Sequence, residues 1–176
     1  MALFVAGLDI GRRADFSALV VVDAERRAIT GAYRLRQDSY ASQIRSIMPM
    51  IRAVEMIALD RSGVGDGVIE LLPRGLPVMP VVISGGSNFT MKPDGTCVAG
   101  KAGLVQLLRV TGLTMAPGTP GRGELMQEMA SFIFKTDGRM EAAGKSHDDL
   151  VLSASLAALA AAQVLKQREP ANYGGS

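Results

Sequence analysis

Two apolar runs in this 176-residue chain finish alike, and that finish restricts the fold. Phe4-Val5-Ala6-Gly7-Leu8-Asp9-Ile10-Gly11 carries an aspartate at its end, and so does Met56-Ile57-Ala58-Leu59-Asp60, ahead of Gly63-Val64-Gly65. Continuous apolar runs of this length read as strands buried on both faces. An aspartate at the carboxyl end of such a strand stands where open α/β sheets place their sites. A third acidic position, Asp148-Asp149, follows Ser146-His147 and opens a long Ala/Leu-rich helix. Each position has a plain structural reading of its own. Strand-end aspartates are common in turns, and Ser146 is a helix cap with acids placed for the helix dipole. Side by side, the three positions change meaning, because converging carboxylates repel unless a cation sits between them.

The remaining pattern predicts one α/β domain over residues 3–167 and a flexible tail over 168–176. Strands are expected at 3–9, 17–23 and 28–36, forming an antiparallel meander with a turn through Asp23-Ala24-Glu25-Arg26-Arg27. A helix over 39–53, capped by Ser39 or Asp38 and bent at Pro49, carries Ile44, Ile47, Met48 and Ile51 at helical spacing. Next come a strand at 55–60, a helix at 66–72, a strand at 78–83 and a glycine-rich loop or hairpin over 84–99. A helix at 101–110, a short strand near 113–116 and a helix at 121–134 with Leu125, Met126, Met129 and Phe132 on its apolar side follow. A hairpin over 132–142 turning at Asp137-Gly138, and a final helix over 147–167, complete the chain.

The residue inventory narrows the chemistry. Cys97 is the only cysteine and His147 the only histidine, which excludes an intrachain disulfide and a cysteine-based zinc site. Carboxylates suit hard ions such as Mg²⁺ or Mn²⁺. His147 is either a first-turn helix residue bonded to a loop or an auxiliary group beside the acids, in the metal shell or shuttling protons. A net charge of +2 permits nucleic acid without arguing for it. Arg12, Arg13, Arg61 and Lys145 lie near the acids in sequence, and Lys101 opens a helix where it is placed to face a phosphate backbone. Gly95-Thr-Cys-Val-Ala-Gly100-Lys101-Ala102 nearly matches a phosphate-binding loop, but Ala102 stands where the Mg²⁺-binding Ser or Thr belongs. No signal peptide is evident, and residues 150–165, interrupted by Ser153 and Ser155, are expected to fall short of a membrane span. A cytoplasmic protein without membrane contact is the expectation.

The ordered set of motifs carries a resemblance. Gly7-Leu8-Asp9-Ile10-Gly11 precedes the strand entry Asp15-Phe16-Ser17-Ala18. Asp60-Arg61-Ser62-Gly63-Val64-Gly65 runs on to Leu71-Leu72. Gly100-Lys101-Ala102-Gly103-Leu104-Val105 and His147-Asp148-Asp149-Leu150-Val151 follow. Over residues 3–166 this series resembles the nuclease domain of the large terminase subunit of tailed bacteriophages. The resemblance implies a ribonuclease H-like α/β fold: a mixed sheet of three antiparallel strands, then parallel strands, flanked by helices. It implies two divalent cations, Mg²⁺ or Mn²⁺, held by Asp9, Asp60 and the Asp148/Asp149 pair. It further implies phosphodiester hydrolysis in double-stranded DNA, cutting viral concatemers at genome packaging. The basic residues Arg12, Arg13, Arg61, Lys101 and Lys145 would then hold the backbone. A packaging ATPase, a small terminase subunit and a portal are the implied partners. Intact family members carry the ATPase ahead of the nuclease, and its absence here implies an excised domain or a separately encoded nuclease.

Three other readings compete. A RuvC-like Holliday-junction resolvase also begins with a strand-end Asp, although its second acid is usually Glu where this chain has Asp60. Leu8-Asp9-Ile10-Gly11 resembles the first phosphate loop of actin-like ATPases, a fold that needs two lobes. The third is a non-catalytic ribonuclease H-like assembly module.

Overall fold

Side-chain alternation along the first strand decides how the molecule is layered. The computed structural model describes residues 2–11, 16–134, 140–142 and 148–169. Strand β1 (Phe4–Asp9) sends Val5 into one apolar core and Ala6 and Leu8 into another on the opposite face. A strand covered on both faces must be apolar throughout, which accounts for the run that ends in Asp9. Strands β2 (Ser17–Asp23) and β3 (Ala28–Leu35) complete the expected antiparallel meander. On the other side of β1 lie β4 (Met56–Asp60), β5 (Val78–Ser84) and β7 (Cys97–Gly100), all parallel, with β6 (Phe89–Met91) antiparallel at the edge. The seven-stranded order is β3-β2-β1-β4-β5-β7-β6.

Helices α1 (Tyr40–Ile51) and α2 (Gly65–Leu71) cover one face, where Ile44, Ile47, Ile51 and Val68 pack on Leu8, Leu19 and Leu59. Ser39 caps α1, its hydroxyl accepting from the Ser42 amide at 3.3 Å, while Asp38 braces both serines. The other face is covered by α3 (Lys101–Val110), α4 (Arg122–Ser131) and α5 (Asp149–Arg168). The last of these lies across β1, β2, β3 and β4 and against α3 and α4.

Several expectations change. The segment near 113–116 makes only a single bridge, Thr114 to Ala28, because it closes the β3 edge as an irregular chain. Helix α4 stops at Ser131, and Phe132 begins β8 (Phe132–Phe134), paired with β9 (Met140–Ala142). Met126, expected on the buried side of α4, is 48% exposed; Leu125 and Glu128 are the residues buried there. The hairpin turn at Asp137-Gly138 and the tail beyond Glu169 lie outside the described residues.

Helix α5 runs one residue past the expected 167 and, by length and composition, passes as a membrane-crossing helix, contrary to expectation. Ser153 and Ser155 do not interrupt it. Both are buried, Ser153 donating to the Ala18 carbonyl at 2.9 Å and Ser155 to the Val151 carbonyl at 2.7 Å. Burial against the sheet is what makes α5 a core helix.

Candidate metal and catalytic site

Register brings the first two aspartates together. Leu8 pairs with Leu59 in the parallel β1–β4 ladder, so Asp9 and Asp60 are the next residues on adjacent strands. Val5 and Ala58 both enter the core under α5, and alternation puts Asp9 and Asp60 on that same face. Helix α5 begins above them. Its descent onto β1 depends on Gly7, where a Cβ would stand 2.0 Å from the Ser153 carbonyl oxygen and 2.4 Å from the Ala157 nitrogen. No side chain fits at that crossing, so the helix rests on bare backbone and its first residue, Asp149, reaches the sheet edge.

The four acids differ in setting. Asp9 and Asp149 are buried, whereas Asp60 and Asp148 are half-buried. Burial, then the charges of Asp60, Asp149 and Asp148 in that order, push the Asp9 carboxyl well above the usual carboxylate range; Lys101 opposes them. Asp9 therefore reports the field of three carboxylates delivered by two other elements. Asp60 accepts from the Ser62 amide at 2.8 Å, closing the turn after β4. Asp148 is ion-paired with Lys101, Nζ to Oδ2 at 2.6 Å. Among the described residues, no three His, Cys, Asp or Glu side chains are gathered closely enough to form a ready-made metal site. The charge and donor chemistry nevertheless fit one: a set of carboxylates suits an oxygen-seeking divalent cation, which would relieve the repulsion on Asp9.

Among the basic residues predicted to meet DNA, Lys101 is at the acid cluster. The Arg61 guanidinium donates to Thr96 Oγ1 at 3.4 Å. Arg12, Arg13, Lys145, His147 and the Ser146 cap lie outside the described residues. The near-match to a phosphate loop is a strand, β7, running straight into α3.

One residue escaped the sequence reading. Glu128 of α4 is 4% exposed and reaches the start of α5, where its Oε2 accepts from the Leu150 amide at 3.0 Å and the Val151 amide at 3.3 Å. Its Oε1 is ion-paired with Arg34 of β3, whose guanidinium lies 5.4 Å from the Phe16 ring centre. The available signal was spacing: Glu128 follows the core residue Leu125 by three positions, which puts the acid on the buried side of α4.

A mixed sheet of this order, helices on both faces and acids at the carboxyl edge, is a ribonuclease H-like α/β fold. Comparison with known proteins takes this to a particular group. The chain is 25% identical over 164 residues to the large terminase subunit of Thermus phage G20c and, at the same identity, to that of Thermus virus P23-45. These matches take in 88% of this chain and 31% of the relative, so the chain spans about a third of the length of the curated relatives it matches. The crystal structure of the G20c large terminase nuclease with bound magnesium superposes with a TM-score of 0.68 at 23% identity, covering 90% of this chain and 81% of that one. The nuclease domain of the large terminase subunit of bacterial virus Sf6 gives 0.61 at 12% identity, covering 89% and 87%. No family model matches the sequence. In sequence and in fold the chain is similar to the nuclease domain of large terminase subunits, as its motifs suggested.

Proposed function

We propose that the chain is a divalent-metal-dependent endonuclease that hydrolyses phosphodiester bonds of duplex DNA, cutting viral concatemers at genome packaging. The observation that carries this reading is the parallel β1–β4 register, which sets Asp9 and Asp60 side by side at the sheet edge where α5 begins with Asp149; the charges of Asp60, Asp149 and Asp148 all act on Asp9. Its support from outside the chain is the likeness to large terminase nucleases, structures of which contain magnesium, cobalt, zinc or manganese. Asp9, Asp60, Asp148 and Asp149 would hold two cations, Mg²⁺ or Mn²⁺. Such ions supply a deprotonated water and neutralise the leaving oxygen.

The chain's own residues set the conditions. Burial among like charges disfavours the charged form of Asp9, and a bound cation would restore it. Lys101 keeps Asp148 at the sheet edge and offers a positive charge to a backbone phosphate. Arg12, Arg13, Arg61 and Lys145 are assigned to the DNA backbone and His147 to an auxiliary role beside the acids. Double-stranded DNA is the substrate. A packaging ATPase, a small terminase subunit and a portal are the partners in this reading, and the host cytoplasm is the compartment.

Substrate choice tests the reading against the resolvase alternative. With Mn²⁺ and equal molar amounts of linear duplex, supercoiled plasmid and four-way junction, the duplex and plasmid are expected to be cut without preference for the junction. Junctions resolved while plasmid and linear duplex stay intact would overturn it. If all three substrates survive and no metal binds, the non-catalytic module is the better reading.

A further inference from the structure

The first turn of α5 has two tasks that compete. A helix start leaves backbone N–H groups without intrahelical partners, and an aspartate at the N-cap is among the side chains best suited to take them. Asp148 occupies the N-cap position, yet its side chain makes no capping hydrogen bond. Its Oδ2 instead meets Lys101. The amides of Leu150 and Val151, the donors an N-cap aspartate would ordinarily take, are already held by Glu128 from α4.

We infer that Glu128 is a positioning residue that caps α5 in place of Asp148, and thereby leaves the Asp148 carboxylate for metal. This rests on the proposed nuclease reading and names a residue which that reading does not include. Three features suit Glu128 to the task. It is buried, so its hydrogen bonds are shielded from water. Its charge lies at the positive end of the helix dipole. Its other oxygen is paired with Arg34, which itself lies against Phe16, so the carboxylate is anchored from the β3 side of the sheet. Without Glu128 the unpaired amides would draw in Asp148, removing that carboxylate from Lys101 and from the sheet edge. The Arg34–Glu128–α5 connection thus ties the helix start to the outer strand of the meander.

The test compares wild type with Glu128→Gln and Glu128→Ala. Gln keeps one carbonyl acceptor and loses the charge; Ala loses both. Mn²⁺ affinity is measured by calorimetry, and plasmid cutting is followed as a function of Mn²⁺ at fixed DNA. Residues that orient metal ligands cost 10–100-fold in affinity or activity when removed. The Mn²⁺ dissociation constant is therefore expected to rise about 10-fold or more in the Ala variant and less in the Gln variant. Cutting should recover in part at high Mn²⁺, with the KM for DNA unchanged. A role confined to stability would lower the melting temperature and leave Mn²⁺ affinity intact, which overturns the inference.

A thermal-unfolding cycle reads the exchange of caps independently of activity. Asp148→Ala should change the melting temperature little in wild type and lower it clearly in the Glu128→Gln background, where Asp148 has taken over the cap. Equal effects in both backgrounds would also overturn the inference. Wild-type protein that neither binds Mn²⁺ nor cuts DNA would remove the nuclease reading itself and this inference with it.

Discussion

Replacing Asp9 with asparagine is expected to reduce DNA cutting by more than ~100-fold, since even loss of a residue behind a metal ligand costs 10–100-fold. The same replacement is expected to make the metal-free protein more stable near neutral pH. Both effects follow from burial beside three like charges. The Asp9 carboxyl is raised well above its ordinary value of 3.8 when the chain is folded. Between that ordinary value and the raised one, the folded protein holds more protons than the unfolded chain. The contribution of Asp9 to stability must then fall as pH rises through this window. The melting temperature of metal-free wild type should accordingly fall relative to that of Asp9→Asn as the pH climbs above about 4, the ordinary value of an aspartate. Asp9→Asn carries no titrating group at this position. Saturating Mg²⁺ or Mn²⁺ should reverse the order at neutral pH by stabilising wild type and not the variant. Calorimetric scans of both proteins at several pH values, with and without metal, check this. A wild type whose metal-free stability keeps a constant offset from that of Asp9→Asn through the window would contradict the burial of an acid among acids.

The second large effect is expected at Gly7. Its missing Cβ is what lets α5 lie on β1, and the atoms a Cβ would strike at 2.0 and 2.4 Å are backbone, which cannot rotate aside. Gly7→Val should force the helix away from the sheet. Overpacking of this kind costs about 1–3 kcal/mol. At the upper end the melting temperature falls by roughly 6–12 °C for a chain of this length. Cutting should fall too, because the displacement begins at the crossing that carries Asp149 to the sheet edge. Gly67→Ala is the control: α2 has nothing within 4 Å of the new Cβ, and removing a helical glycine stabilises by about 0.5–1 kcal/mol. Thermal unfolding of the two variants distinguishes a close helix crossing from a general intolerance of substitution at glycine. A Gly7→Val protein that melts with the wild type would contradict the crossing.

The two variants also mark how far the site was legible from sequence. The strands of Asp9 and Asp60 announce themselves, because a strand buried on both faces has to be apolar along its length and an acid can appear only where it ends. Helix α5 is equally plain from its Ala/Leu run. That the two strand ends lie side by side could be inferred from sheet rules, and the Leu8–Leu59 register shows it. The closeness of the α5 crossing was not legible, since Gly7 looks like any glycine within a strand until the helix lying on it is seen. Glu128 was missed for a different reason. It belongs to a short helix whose polar residues resemble a solvated face, and its partners Arg34 and Leu150 are distant in sequence. Met126 shows the converse error: an apolar residue at helical spacing counted as core and found exposed. Tertiary pairs between elements leave no periodic trace, whereas burial on two faces does.

Nicking of supercoiled plasmid by wild type, Asp60→Asn and Asp149→Asn, each with Mn²⁺ and with chelator, decides whether these acids form a metal-dependent nuclease site. Asp60 and Asp149 come from separate elements, and the charge of each acts on Asp9. Wild type is expected to nick and linearise plasmid only when metal is present, and both variants to fail while remaining folded. Cutting by both variants at the wild-type rate, or cutting by wild type that survives chelation, would contradict such a site.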